Sequence, residues 1–203
     1  MPQNQAMMWQ ELKFAKELGF VLYKGTAVCL RYGHRQSVDF DFFTSGALDK
    51  IAIQNLFFNI ANGLLIYDTP NTLSVMVNNV KLSFFSVGFS PTEPTDTTND
   101  GVLSVASPLD LLATKLKVIL QRAEVKDYID IATLLKNGVS LENAMNTAKL
   151  LYSPAFQLTT VLKALTYFDD GNLSNLHESI KEQLRSSIHN LTDQYFSNEI
   201  VEP

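Results

Sequence analysis

Phe20 to Thr44 reads FVLYKGTAVCLRYGHRQSVDFDFFT, and the order of local structures in this stretch decides the fold. Phe20 to Tyr23 is a short apolar strand candidate. Gly25 and Thr26 then make a tight turn into Ala27 to Tyr32, a short helix closed by Gly33. Val38 to Phe43, VDFDFF, alternates strictly between apolar and acidic residues, the period of a strand with one buried face. Successive side chains on a strand point to opposite faces, so Asp39 and Asp41 share one face while Val38, Phe40 and Phe42 share the other. Two carboxylates so placed repel unless they are solvated or neutralised. Solvation on an open strand face is one solution, and a divalent cation is the other, since Mg²⁺ favours one or two carboxylates together with water and substrate phosphates. At the Gly25-Thr26 turn, free backbone N–H groups and the helix dipole favour an anion such as phosphate. Arg31, His34, Arg35 and Ser37 lie between turn and strand as hydrogen-bond donors.

Working outward, residues 5 to 18 carry apolar side chains at helical spacing, with Gly19 as a stop. Beyond the acidic strand, Asp49 can cap a helix running to about Asn59. Gly63 to Tyr67, Thr72 to Val77 and Val80 to Val87 are strand candidates, the last two joined by an Asn78-Asn79 turn, which makes a β-meander. Phe89 to Asp100 reads as a surface loop before a short strand at Val102 to Val105. Ser107-Pro108 starts an all-helical region, Ser as N-cap and Pro at the first helical position, with Asp110 in an acidic first turn. Helices are expected at about 108 to 121, 124 to 136, 141 to 151, 154 to 167 and 175 to 196.

The 203 residues are 46% apolar and 18% charged, enough for a sizeable core and against disorder. There are 16 Lys plus Arg and 21 Asp plus Glu, a formal charge of −5 that argues against a broad electrostatic grip on nucleic acid. The acidity is uneven, however. Residues 1 to 126 hold 11 basic and 11 acidic side chains, while 127 to 203 hold 5 and 10, so the first part can still grip a triphosphate locally. A single cysteine, Cys29, excludes an internal disulfide and fits a reducing, cytoplasmic setting. Met1 to Gln10 lacks the pattern of a signal peptide, and the longest uncharged run, Ile51 to Tyr67, is interrupted by Gln54, Asn55, Asn59, Asn62 and Gly63, so no membrane span is expected. His34, His177 and His189 are too scattered for a zinc site.

Taken whole, Phe20 to Thr44 resembles the AbiEii-type branch of the DNA polymerase β-like nucleotidyltransferases, in which a strand leads to a Gly-Gly-Thr-Ala-Leu turn, a short helix, Gly-His-Arg and then Ser-x-Asp-x-Asp on the next strand. Gly25, Thr26 and Ala27 match the turn, Gly33, His34 and Arg35 the connector, and Ser37, Asp39 and Asp41 the metal strand. Ala106 to Leu135 resembles the family's later motif at Ser107, Asp110, Lys115, Arg122, Lys126, Asp127 and Asp130. Two positions depart from the pattern. Lys24 stands where the family has the first turn glycine, and Lys81 to Ser86 carries no third carboxylate of the kind many relatives place on a later strand.

The resemblance implies an α+β fold: a nucleotidyltransferase-like mixed β-sheet core with flanking helices over residues 1 to 105, followed by an all-α region over 106 to 203. It implies that Asp39 and Asp41 hold Mg²⁺ or Mn²⁺ against a nucleoside triphosphate, with Lys115 and Asp127 also catalytic. Lys24, Gly25, Thr26, Arg35, Ser37, Arg122, Lys126 and Asp130 are the implied nucleotide-binding residues. The implied activity is transfer of a nucleotide to an RNA, for example tRNA, or to a protein acceptor. The implied context is the toxin of a toxin–antitoxin pair with a cognate antitoxin as partner. A kinase-like phosphotransferase on the same scaffold, or a degenerate module that only binds nucleotide or partner, are the alternatives.

Overall fold

A computed structural model describes the backbone of residues 1–60 and 63–199 and the side chains of residues 1–55 and 63–191. The chain divides into two compact units, Met1–Ser107 and Pro108–Pro203. The first is a mixed sheet with flanking helices and the second is helical, as the resemblance implied.

The first unit is organised by β1 (Val21–Tyr23) and β2 (Asp39–Thr44), which pair antiparallel with Tyr23 opposite Asp41. Between them runs α3 (Lys24–Tyr32), one residue after the strand and three residues earlier than the sequence suggests. It closes on Gly33, whose φ of 61° places it in the left-handed region and whose N–H bonds to the Cys29 carbonyl. After α4 (Lys50–Ile60), the meander expected from the sequence is present as β3 (Leu64–Thr69), β4 (Thr72–Val77) and β5 (Val80–Ser86). Asn78 and Asn79 both adopt positive φ between β4 and β5, the conformation a two-residue hairpin turn requires. With β6 (Asp96–Thr97) and β7 (Ser104–Val105), the sheet order is β3-β4-β5-β2-β1-β7-β6, and β2 lies parallel to β5 with Asp39 beside Lys81 and Asp41 beside Ser83.

Burial follows the predicted alternation within β2, since Phe40 and Phe42 are fully buried while Asp39 and Asp41 are not. Val38 lies outside the strand and is exposed. Phe42 stacks on Phe84 with centroids 5.3 Å apart, and Phe14 and Phe20 pack on the same Phe84 ring. This aromatic contact holds the N-terminal segment on one face of the sheet and leaves the acidic pair on the other.

Other expected boundaries also move. The single helix over 5 to 18 is instead α1 (Gln3–Met7), a 3₁₀ turn (Gln10–Leu12) and α2 (Lys13–Glu17). The interruption coincides with a tertiary contact, the Trp9 indole N–H donating to Asp100, and such contacts override helix propensity. The loop expected over 89 to 100 contains β6 (Asp96–Thr97), which pairs with β7 (Ser104–Val105), shorter than the expected 102 to 105 strand. Asp100 accepts from the Thr98 hydroxyl and the Val102 N–H, and Gly101 has positive φ, so the intervening residues turn tightly enough to form a ladder.

The second unit contains α5 (Pro108–Val118), α6 (Val125–Lys136), α7 (Leu141–Tyr152), α8 (Leu158–Thr166) and α9 (Glu178–Glu199). Helix α8 begins four residues later than expected because the chain is still extended at Gln157, and α9 is preceded by a 3₁₀ turn at Leu173–Asn175. The start of α5 at Pro108 is where the Ser-Pro pair places it. No helix among the described residues is long and apolar enough to cross a membrane.

Candidate active site

In the first unit, the start of α3 and the exposed face of β2 bring together Lys24, Gly25, Thr26, Arg35, Ser37, Asp39 and Asp41. Thr26 Oγ1 donates to the backbone carbonyl of Asp39 and lies 2.9 Å from Ser37 Oγ. Thr26 is buried, so its hydroxyl serves to pin the helix start onto the acidic strand, and only its N–H is left for a ligand. At Gly25 an added Cβ would lie 2.5 Å from a terminal nitrogen of Arg35 and 3.3 Å from Ser37 Oγ. The missing side chain thus leaves a recess at the helix N-terminus that the Arg35 guanidinium occupies, and a movable cation over a helix N-terminus is a combination suited to phosphate.

Gly25→Ala tests that recess. The clash is with the movable end of a long side chain, and Gly→Ala within a helix itself favours folding by roughly 0.4–1 kcal/mol, so thermal stability should be retained. Affinity for a non-hydrolysable nucleoside triphosphate, measured by calorimetry, should fall about tenfold, the loss of one good charge-assisted contact. Unchanged affinity would show that phosphate does not use the recess.

The acidic pair is flanked by cations. Lys24 Nζ lies 3.0 Å from Asp41 Oδ1, and the ammonium sits 4.0 Å from the centroid of the Phe85 ring and 5.7 Å from that of Phe43. The Lys24 backbone has φ 57°, the left-handed conformation for which glycine is the usual residue. From β5, Lys81 and Ser83 stand in register with Asp39 and Asp41 on the same face, so the strand beside the pair supplies a cation and a hydroxyl in place of a third acid. Sequence reading did not single out Lys81 or Phe85. The only signal would have been the parallel β2–β5 pairing, which bridges residues about forty positions apart.

In the second unit, Lys115 of α5 reaches Asp127 and Asp130 of α6 at 2.7 and 2.5 Å. Both carboxylates are fully buried and the Lys115 side chain is 4% exposed. Arg122 adds a fork onto Asp127, Nε to Oδ2 at 2.8 Å and a terminal nitrogen to Oδ1 at 3.3 Å, with its own side chain 43% exposed. Burial pushes the Asp127 carboxyl up, but Lys115 and Arg122 more than offset this and hold it below the ordinary carboxylate range. Lys126 is not part of the cluster and pairs with Glu124 at 2.8 Å. Burial and the proximity of Asp127 and Asp170 push the neighbouring Tyr128 hydroxyl up to about 12, so it stays protonated and donates to the Ala164 carbonyl.

A cavity of about 570 Å³ also lies in the first unit, bordered by Trp9, Arg31, Asp96 and Asp100. Asp96 pairs with Arg31 at 2.7 Å and Asp100 adds a further carboxylate, a lining that disfavours a triphosphate.

Residues 11–176 match the family described as nucleotidyl transferase AbiEii toxin, type IV toxin–antitoxin system. The chain belongs to the AbiEii family. An uncharacterized protein of Aquifex aeolicus is 29% identical over 185 residues, covering 88% of this chain and 89% of its own length. Among solved structures, the nucleotidyltransferase toxin MenT4 of Mycobacterium tuberculosis superposes with a TM-score of 0.65 at 11% identity, over 94% of this chain and 83% of that one. ANT(2'')-Ia, solved in complex with adenylyl-2''-tobramycin, superposes with a TM-score of 0.54 at 11% identity, over 74% of this chain and 97% of that one. These likenesses establish the nucleotidyltransferase fold for an AbiEii chain whose turn and acidic strand lie within the matched region.

Proposed function

We propose that this AbiEii-family chain is a divalent-metal-dependent nucleotidyltransferase that moves a nucleotide from a nucleoside triphosphate to an RNA, such as tRNA, or to a protein acceptor. Its proposed setting is the toxin of a cytoplasmic toxin–antitoxin pair. The observation that carries the reading is the pair Asp39 and Asp41 on one face of β2, next to the Gly25 recess at the start of α3. Family membership supports the reaction class. The adenylylated product held by the structural neighbour ANT(2'')-Ia is consistent with attack at the α phosphorus.

Hard oxygen donors on one face suit Mg²⁺ or Mn²⁺, and the ammonium already beside Asp41 shows that this face accepts positive charge. Asp39 and Asp41 would hold the ion, which when bound offsets charge developing on the triphosphate. The Gly25 and Thr26 N–H groups, Ser37 and Arg35 would bind the β and γ phosphates, with Lys24 as a further cation. Attack of an acceptor hydroxyl oxygen on the α phosphorus forms one P–O bond and breaks the bond to the departing pyrophosphate, while the hydroxyl proton passes to solvent. In the helical unit Arg122, part-exposed while forked onto Asp127, is the proposed nucleotide-binding cation. Lys115 and Asp127, expected to be catalytic, are assigned positioning roles, because both are buried and hold one another and Arg122 in place. Asp130 completes that mooring, and Lys126, exposed beside Glu124, offers a second surface cation.

The test is incubation of the pure protein with each nucleoside triphosphate labelled at the α or the γ phosphate, with Mg²⁺, total tRNA and cell protein. Label from the α position on RNA or protein supports nucleotidyl transfer. Label only from the γ position assigns phosphotransfer instead. No label from either position, with wild type matching Asp41→Ala, overturns both.

A further inference from the structure

We propose that Lys24 is a resident counter-ion of the acidic pair, whose ammonium an incoming divalent cation must displace from Asp41, so that this side chain sets the affinity for the metal. The inference rests on the reading of Asp39 and Asp41 as the metal-holding pair.

Three independent observations place the ammonium there. It is bonded to Asp41 Oδ1 at 3.0 Å, a charge-assisted contact only 29% and 17% exposed on its two sides. It rests 4.0 Å from the Phe85 centroid, where the ring's negative face favours a cation, with the Phe43 ring at 5.7 Å. The residue also keeps φ 57° without being glycine, and such a conformation persists where surrounding contacts over-determine it.

The charge balance on this face gives the arrangement its consequence. Asp39 and Asp41 carry two negative charges, and Lys24 together with Lys81, in register with Asp39, carries two positive ones. With the Arg35 guanidinium at the adjoining helix start, the face carries no net negative charge before any metal arrives. A divalent ion gains less here than at a bare acidic pair, because binding requires Asp41 to give up an existing partner. Once displaced, the ammonium is tethered beside the Gly25 recess and free to meet a phosphate. Metal and triphosphate should then bind more tightly together than apart, each relieving a charge imbalance left by the other.

Mn²⁺ alone, titrated into the full chain and followed by electron paramagnetic resonance and calorimetry, provides the test. Lys24→Met removes the charge but keeps the side-chain bulk and the backbone conformation, whereas Lys24→Gly removes charge and backbone constraint together. Both are expected to bind Mn²⁺ roughly five- to tenfold more tightly than wild type, the scale of one partly buried ion pair, while Lys24→Arg stays near wild type. Circular dichroism and melting curves confirm folding of each variant. If neither Lys24→Met nor Lys24→Gly binds more tightly than wild type, or only Lys24→Gly does, the counter-ion role is overturned, the second outcome assigning the effect to the backbone. Asp41→Asn separates the underlying reading, because Mn²⁺ binding equal to wild type in that variant overturns the metal site itself.

Discussion

Asp39→Asn and Asp41→Asn are each expected to lower transfer of α-labelled nucleotide by about 10³-fold or more, with the fold intact. The exchange keeps side-chain shape and removes one negative charge from a group that must draw a divalent ion onto the triphosphate, an effect of several kcal/mol on the barrier at about 1.4 kcal/mol per tenfold. Structural damage is not expected, because neither carboxylate is a buried core group and the strand is held by its apolar face, Phe40 and Phe42 against Phe84. Asp41→Asn weakens the bond from Lys24, a partly exposed pair whose contribution to stability lies within about 1 kcal/mol. Melting temperatures close to wild type, together with lost transfer, are the expected pair of results. Retention of more than about a tenth of the activity by either variant would remove that residue from the metal site.

Lys115→Met should have the larger effect on folding. It leaves Asp127 and Asp130, both fully buried, without the ammonium that bonds to each, and breaking a buried ion pair from one side costs about 3–5 kcal/mol. Arg122 moderates the loss at Asp127 alone among the contacts of its fork. Chemical denaturation of the wild type and the variant measures the difference. Replacing Lys115, Asp127 and Asp130 together by Met and Leu should recover most of the stability, because none of the three buried charges of this cluster then remains. Equal stability of wild type and Lys115→Met would refute the proposed mooring.

The pH dependence is expected to differ between the two proteins. In wild type the Asp127 carboxyl is held below its unfolded value of 3.8, so the stability it contributes is fully present above that pH and is lost as pH falls through the lower folded value. Without Lys115, burial is less opposed and the folded value moves up. The penalty of the substitution should accordingly be greatest near neutrality and shrink on the acid side, where protonation relieves the carboxylate that has lost its ammonium. Denaturation midpoints across pH 4 to 8 would show the two curves converging on the acid side.

The elements read most securely from the sequence were those whose signals are local. The Asp39 to Phe42 alternation, Gly33 as a left-handed helix end, the Asn78-Asn79 hairpin and the Ser107-Pro108 helix start each depend on residues within a turn or two of one another, and each appears in the structure. Gly25, Thr26, Arg35 and Ser37 could be grouped for the same reason, since a strand, a nine-residue helix and the next strand leave little freedom in where they meet. Where local signals competed with distant contacts the reading was less accurate. Trp9 bonded to Asp100 accompanies the interrupted N-terminal helix, and Asp96–Thr97 became a strand only because Ser104–Val105 came back beside it.

The sequence by itself therefore determined the mixed-sheet unit followed by helices and the shared face of Asp39 and Asp41, because periodicity and capping act over a few residues, while the family rested on the resemblance of whole motifs. Only the tertiary structure decided what surrounds that face. The ammonium of Lys24 meets Asp41 because β1 sets the preceding Tyr23 opposite it, while the Phe85 ring beside that ammonium and Lys81 beside Asp39 follow from β5 lying parallel to β2. That register is set by how the opposite, apolar faces of the two strands pack, Phe42 against Phe84, and a one-residue slip would turn Lys81 and Ser83 away from the acids.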